Sequence, residues 1–220
     1  MAIILMLGAF VSQAQQEFKQ STASLYECVS GYATFEEALS QGCVEKMVTE
    51  VMAELKIDSD SISGTDPFEQ GREYGQKLVG PILSNLITTC DDAFLKFKNS
   101  KKDTYRAFTK AFRDLDINAI NLLLEGGETV ELQMQKAMYF IGQSDFDKAK
   151  ALLETIVSSK TSPPQALYFL GTIYEIQGDY KAAIKSLQYV MDHLEGTEDI
   201  SNAILLNMAY LERLMAEEDN

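Results

Sequence analysis

The chain has few of the residues on which catalytic and metal sites depend. Its 220 residues include no tryptophan, one histidine and three cysteines. The cysteines never form a Cys-x-x-Cys pair, which argues against a zinc site or a thioredoxin-like redox site. His193 is far from the cysteines in sequence and falls at the end of an expected helix. We therefore do not expect it to act as the base that activates a serine or cysteine nucleophile. We therefore predict no metal, no cofactor and no catalytic residues, and the protein is not expected to be an enzyme.

Basic residues are also scarce. The chain has 19 lysines and arginines against 33 aspartates and glutamates, a formal net charge of −14. Nucleic acids and anionic membranes attract basic surfaces, so the charge argues against both as partners. It fits a partner that is basic or neutral, and it is equally explained by solubility alone.

No apolar run is long enough to span a bilayer, which takes about 20 residues. Residues 1–11 carry no charged side chain, and Ser12-Gln13-Ala14 follows them with the small-x-small pattern of a cleavage site. This pattern predicts a signal peptide over residues 1–14 and an exported protein, periplasmic or secreted. No lysine or arginine precedes the run, and a buried N-terminal helix is the alternative interpretation.

The three cysteines, Cys28, Cys43 and Cys90, all lie in the first half of the chain. In an exported protein an odd number of cysteines suggests one disulfide and one free thiol. Two of the three are therefore candidates for a disulfide, and the spacing does not decide which two.

The apolar residues recur with helical period along almost the whole chain, and no alternating strand pattern persists, so we predict an all-α protein. Thr34 and Glu37 form a capping box at the start of the second expected helix. The lysines between residues 96 and 102 are interpreted as a helix C-terminus and a boundary. Gly80-Pro81 should kink or break the helix that begins at Asp66. Helices are expected over residues 16–30, 34–56, 66–97, 103–114 and 117–125.

The polar segment 58–69 places acidic residues at calcium-loop spacing, as in an EF-hand. Ile62 occupies a ligand position, however, and Ser63 stands where the loop needs glycine. Asp66-Pro67 suits the start of a helix better. We therefore predict no calcium site.

Two segments repeat 34 residues apart. Ser144 to Ala149 reads SDFDKA, and Gly178 to Ala183 reads GDYKAA. The same shift takes Ala137 to Gly171, two small residues that let paired helices approach closely. It also takes Phe140 to Tyr174, Leu153 to Leu187 and Ile156 to Val190.

This pattern resembles the tetratricopeptide repeat, whose period is 34 residues. The resemblance implies a short α-solenoid of helical hairpins and a function in binding proteins or peptides. It also implies a concave binding face from the first helix of each hairpin. By register this peptide-binding groove would comprise Met134, Met138, Ile141, Gln165, Tyr168, Thr172 and Glu175, with Leu206 and Tyr210 extending it. The lysines and asparagines with which some members clamp acidic tails are absent.

We accordingly expect a signal peptide over 1–14, an N-terminal helical region over 15–100, and tetratricopeptide-like repeats over 101–220. Only one helix follows the second hairpin, and it is expected to cap the solenoid. The predicted function is a periplasmic scaffold or adaptor that binds another protein or peptide. The alternatives are a purely structural protein whose groove is filled by its own N-terminal helices, or a non-catalytic subunit of an envelope enzyme complex.

Overall fold

The computed structural model describes residues 19–43, 46, 79–159, 163–193 and 198–218. These residues form helices, turns and loops without any strand, which confirms the all-α fold class. The predicted signal peptide, the loop at 58–65 and the helix start at Asp66 lie outside the described residues. Within the described part, no helix is long and apolar enough to cross a membrane.

Nine complete helices can be delimited in the described ranges, and residues 79–89 are also helical. They are α1 (Lys19–Ser30), α2 (Phe35–Ser40), α3 (Asp91–Lys110), α4 (Ile117–Glu125), α5 (Val130–Gly142), α6 (Phe146–Val157), α7 (Pro164–Ile176), α8 (Tyr180–His193) and α9 (Glu198–Glu218).

The chain divides into two compact units. Unit 1 takes the described residues up to Ser100 together with the segment of α9 that ends at Arg213. Unit 2 takes Lys101 to α8 and the end of α9. Most of α9, the helix expected to cap the repeats, therefore belongs to unit 1.

The start of α2 has the predicted capping box. The Glu37 amide donates to the Thr34 hydroxyl at 3.1 Å, and the Glu37 carboxylate accepts from the Ala33 amide at 3.2 Å. The helix is shorter than predicted, however, because it ends at Ser40 and Gly42 follows with a φ of 80°. A left-handed residue of this kind ends a helix readily when it is glycine.

Unit 1 has an aromatic and disulfide-linked core. Cys28 and Cys43 form the disulfide, and Cys90 is a buried free thiol. The ring of Phe97 lies 5.4 Å from that of Phe35 and 5.2 Å from that of Tyr210.

Arg213, on α9, closes the end of the helical segment 79–89. Its guanidinium donates to the carbonyls of Ile87 at 2.7 Å and Cys90 at 3.0 Å, and it pairs with Asp91. Carbonyls in the last turn of a helix, such as that of Ile87, lack intrahelical partners, so the bond from Arg213 stabilises this helix end. The helical break thus falls at Cys90, whereas Gly80 and Pro81 lie inside helical backbone.

The interpretation of the lysine cluster as a helix terminus was wrong. Helix α3 runs without interruption from Asp91 to Lys110, through all four lysines. Some of these side chains have partners along the helix. Lys96 bonds Asp92 one turn away at 2.8 Å, and Lys98 lies over the Phe94 ring.

Unit 2 contains two helical hairpins, α5–α6 and α7–α8, whose turns are closely alike. Ser144 and Gly178 occupy matching places with φ values of 59° and 81°. The next residues, Asp145 and Asp179, each donate their amide to a carbonyl five residues back, at 2.9 Å in both hairpins. Both aspartates then cap the second helix. The turn predicted from sequence is therefore present twice.

The small residues lie where the paired helices cross. Ala137 and Ala149 are fully buried in the first hairpin, as is Ala183 in the second. A β-carbon at Gly171 would lie 3.3 Å from the Ser186 β-carbon, so the helices approach closely there. A continuous apolar core links the two hairpins through α6 and α7.

Candidate partner-binding site

A cavity of about 510 Å³ opens between the first helices of the two hairpins, in unit 2. We call it the α5–α7 cavity. Most of its lining is apolar, and it consists of Val130, Glu131, Met134, Gln135, Met138, Pro163, Gln165 and Phe169.

Two methionines form the α5 wall. Met134 and Met138 are one helical turn apart and therefore share a face of α5. Met134 is buried and Met138 half-buried, and both contact the core of the hairpins. Methionine side chains are flexible and polarisable, so this wall can adapt to the shape of an apolar ligand.

Phe169 forms the opposite wall and is held in place by aromatic neighbours. Its ring centroid lies 5.6 Å from those of both Phe108 and Phe112, in edge-on geometry. Edge-to-face pairs of this kind contribute about 0.5–1.5 kcal/mol beyond their buried area. Phe108, on the second half of α3, and Phe112, in the turn that follows α3, thereby position the α7 wall.

Glu131 is the one charged residue in the cavity lining. Thr129 caps α5 by accepting from the Leu132 amide at 3.3 Å. The Glu131 carboxylate forms hydrogen bonds with the Glu131 backbone amide and with the Thr129 side chain, and these bonds lower the pKa of Glu131. The cavity therefore has an apolar interior and an ionised carboxylate at the N-terminal end of α5.

A family model described as tetratricopeptide repeat matches residues 164–189, which are α7 and most of α8. The chain contains a tetratricopeptide repeat. The matched hairpin supplies the α7 wall of the cavity, and the α5–α6 hairpin repeats its turn and its small crossing residues. No curated protein and no solved structure matches the chain significantly.

Three residues predicted from the register of the repeat line the cavity: Met134, Met138 and Gln165. Tyr168 is adjacent in sequence and 44% exposed, but it is not part of the lining. Burial and the nearby Glu175 carboxylate raise the pKa of the Tyr168 phenol. The Thr172 hydroxyl donates to the Tyr168 carbonyl at 3.0 Å.

The remaining predicted residues lie in the interior. Ile141 is completely buried in the hairpin core, and Leu206 and Tyr210 are buried in unit 1. Tyr210 packs on Phe94 and Phe97, with ring centroids 5.6 Å and 5.2 Å away. The register of the repeat gives the direction of a side chain on its own helix but does not show which other helix covers it.

Glu175 shows this clearly. It is 4% exposed, and its carboxylate bonds the Lys101 ammonium at 2.8 Å and the Tyr105 hydroxyl at 2.6 Å. Both partners belong to α3, so the C-terminal half of this helix covers the Glu175 end of α7. The N-terminal parts of α5 and α7 line the α5–α7 cavity.

Sequence reasoning missed five of the lining residues. They are Val130, Glu131, Gln135, Pro163 and Phe169. Pro163, in the connection between the two hairpins, and Glu131, in the first turn after Thr129, could be recognised in the sequence. The sequence pattern does not give the distance between α5 and α7, however, and therefore does not show that these residues border one cavity.

Proposed function

We propose that the protein is a scaffold or adaptor that binds a segment of another protein in the α5–α7 cavity. Tetratricopeptide repeats are stacking units that present binding surfaces, and residues 164–189 are such a repeat. The observation that carries the proposal is the cavity itself. Its volume of about 510 Å³ falls within the usual range of ligand sites, and its lining is mostly apolar with a few polar groups.

A pocket-filling substitution tests the proposal. Gln165 is exposed at the cavity, so Gln165→Trp should fill it without disturbing the core. Gln188→Trp is the matched control, because Gln188 is exposed on α8 and does not line the cavity. We expect wild type and Gln188→Trp to select the same peptides from a random phage-displayed library. Gln165→Trp should bind those peptides about tenfold more weakly or worse, because the buried apolar contact is lost. Equal binding by all three proteins would refute the cavity as the site.

We further propose that the protein works outside the cytoplasm, in the periplasm. The uncharged run at residues 1–11, the Ser12-Gln13-Ala14 site and the Cys28–Cys43 disulfide support this location. Disulfides persist mainly in oxidising compartments.

The location is tested on protein from the native host. We expect mass spectrometry of the envelope fraction to find Gln15 as the first residue and Cys28 linked to Cys43. Protein that retains Met1, found in the cytoplasmic fraction with all three thiols free, would contradict export.

A further inference from the structure

One charged residue, Glu131, lines the α5–α7 cavity. Residues 114–135 contain five acidic residues and no lysine or arginine, and Arg113 and Lys136, which flank this range, do not line the cavity. On the other wall, residues 163–180 contain no lysine or arginine either. Glu131 thus faces the cavity with no basic residue among the eight that line it.

Glu131 makes no ion pair in the described part of the chain, unlike two other acidic residues of unit 2. Asp145 pairs with Lys148 at 2.6 Å, and Glu175 pairs with Lys101 at 2.8 Å. Among the described residues, no cation lies within ion-pair distance of Glu131. The Glu131 carboxylate hydrogen-bonds only its own backbone amide and the Thr129 side chain in the described structure, and the residue is exposed, so a cation brought by a ligand can pair with it.

We propose that the partner segment carries a bulky apolar side chain next to a lysine or arginine, with the apolar group in the cavity and the cation on Glu131. This inference rests on the proposed function and specifies its partner. Met134, Met138 and Phe169 supply the apolar contact, which accounts for most of the affinity. The exposed carboxylate of Glu131 then distinguishes basic from acidic neighbours, since like charges at such a site repel.

Peptide selection tests this chemistry directly. A random phage-displayed peptide library is selected on wild type, on Glu131→Gln, and on Glu36→Gln as the control. Glu36 is exposed on α2 in unit 1, remote in sequence from the cavity and not part of its lining. We expect wild type and Glu36→Gln to enrich peptides in which lysine or arginine neighbours a large apolar residue. Glu131→Gln should still enrich the apolar residue but lose the basic preference.

A binding measurement with one selected peptide gives the magnitude. Its affinity should fall about two- to fivefold in Glu131→Gln, the effect of one exposed charge pair, and the difference should shrink as salt is raised. A peptide in which the basic residue is replaced by glutamine should bind wild type and Glu131→Gln equally.

The other outcomes are separable. Enrichment of apolar residues with an acidic or no charge preference on wild type would overturn this inference and leave the proposed function intact. Failure to enrich any apolar motif, or enrichment that Gln165→Trp does not affect, would overturn the proposed function as well. Self-association of wild type that Gln165→Trp abolishes would make a second copy the occupant and overturn the inference of a basic partner.

Discussion

Replacing Gly142 with alanine should destabilise unit 2 by roughly 2–3 kcal/mol, the upper part of the range for overpacking. Gly142 ends α5, where the backbone of the turn after α3 approaches it. An added β-carbon would overlap the Phe112 carbonyl and lie 2.8 Å from the Arg113 amide nitrogen. Backbone atoms cannot rotate away as a side chain can, so the turn or the helix end must move. Urea unfolding monitored by far-UV circular dichroism measures the change.

Gly171→Ala is the matched control. Its new β-carbon would meet the Ser186 β-carbon at 3.3 Å, a contact that a small shift relieves. In a helix interior, alanine is also more favourable than glycine by about 1 kcal/mol. We expect Gly171→Ala to change the free energy of unfolding by less than about 1 kcal/mol in either direction. If Gly171→Ala proved the more destabilising, the packing described at both glycines would be wrong.

The second large effect is expected at the buried ion pair. Glu175→Ala should destabilise the protein by about 3–5 kcal/mol, because the Lys101 ammonium stays buried without the carboxylate. The two side chains are only 1% and 11% exposed, so water compensates little. Chemical denaturation of the variant against wild type measures the loss.

A double-mutant cycle separates this pair from simple loss of volume. Lys101→Met with Glu175→Leu replaces both charges by apolar groups of similar size. We expect the double variant to be more stable than Glu175→Leu or Lys101→Met alone, since no buried charge remains. Additive losses in the double variant would show that the two groups do not depend on each other.

The sequence pattern predicted the features that lie within a single hairpin, namely its turn and its small crossing residues. The turn at Gly178-Asp179 follows from a glycine that tolerates a left-handed backbone and an aspartate that caps a helix. Its copy at Ser144-Asp145 keeps the capping aspartate and has serine in the left-handed position. The small crossing residues Gly171 and Ala183 follow from close packing within one hairpin. Such features depend on neighbours in sequence, so the sequence pattern contains them.

Features that depend on distant packing were not predictable in this way. Nothing in the sequence around Gly142 indicates that the backbone at Phe112 passes beside it. The lysines of α3 looked like a helix end, yet one of them is the buried partner of a glutamate 74 residues later. The cavity also depends on distant packing, because Glu131 and Phe169 line it from the first helices of two successive hairpins, with α6 between them in sequence.

The most direct test of the α5–α7 cavity as the binding site is a methyl NMR titration of methionine-labelled protein with a peptide selected from the library. Met134 and Met138 line the cavity, whereas Met191 on α8 does not. We expect the peptide to shift the methyl signals of Met134 and Met138 and to leave that of Met191 in place. Shifts confined to other methionines, with Met134 and Met138 unmoved at saturation, would contradict the account.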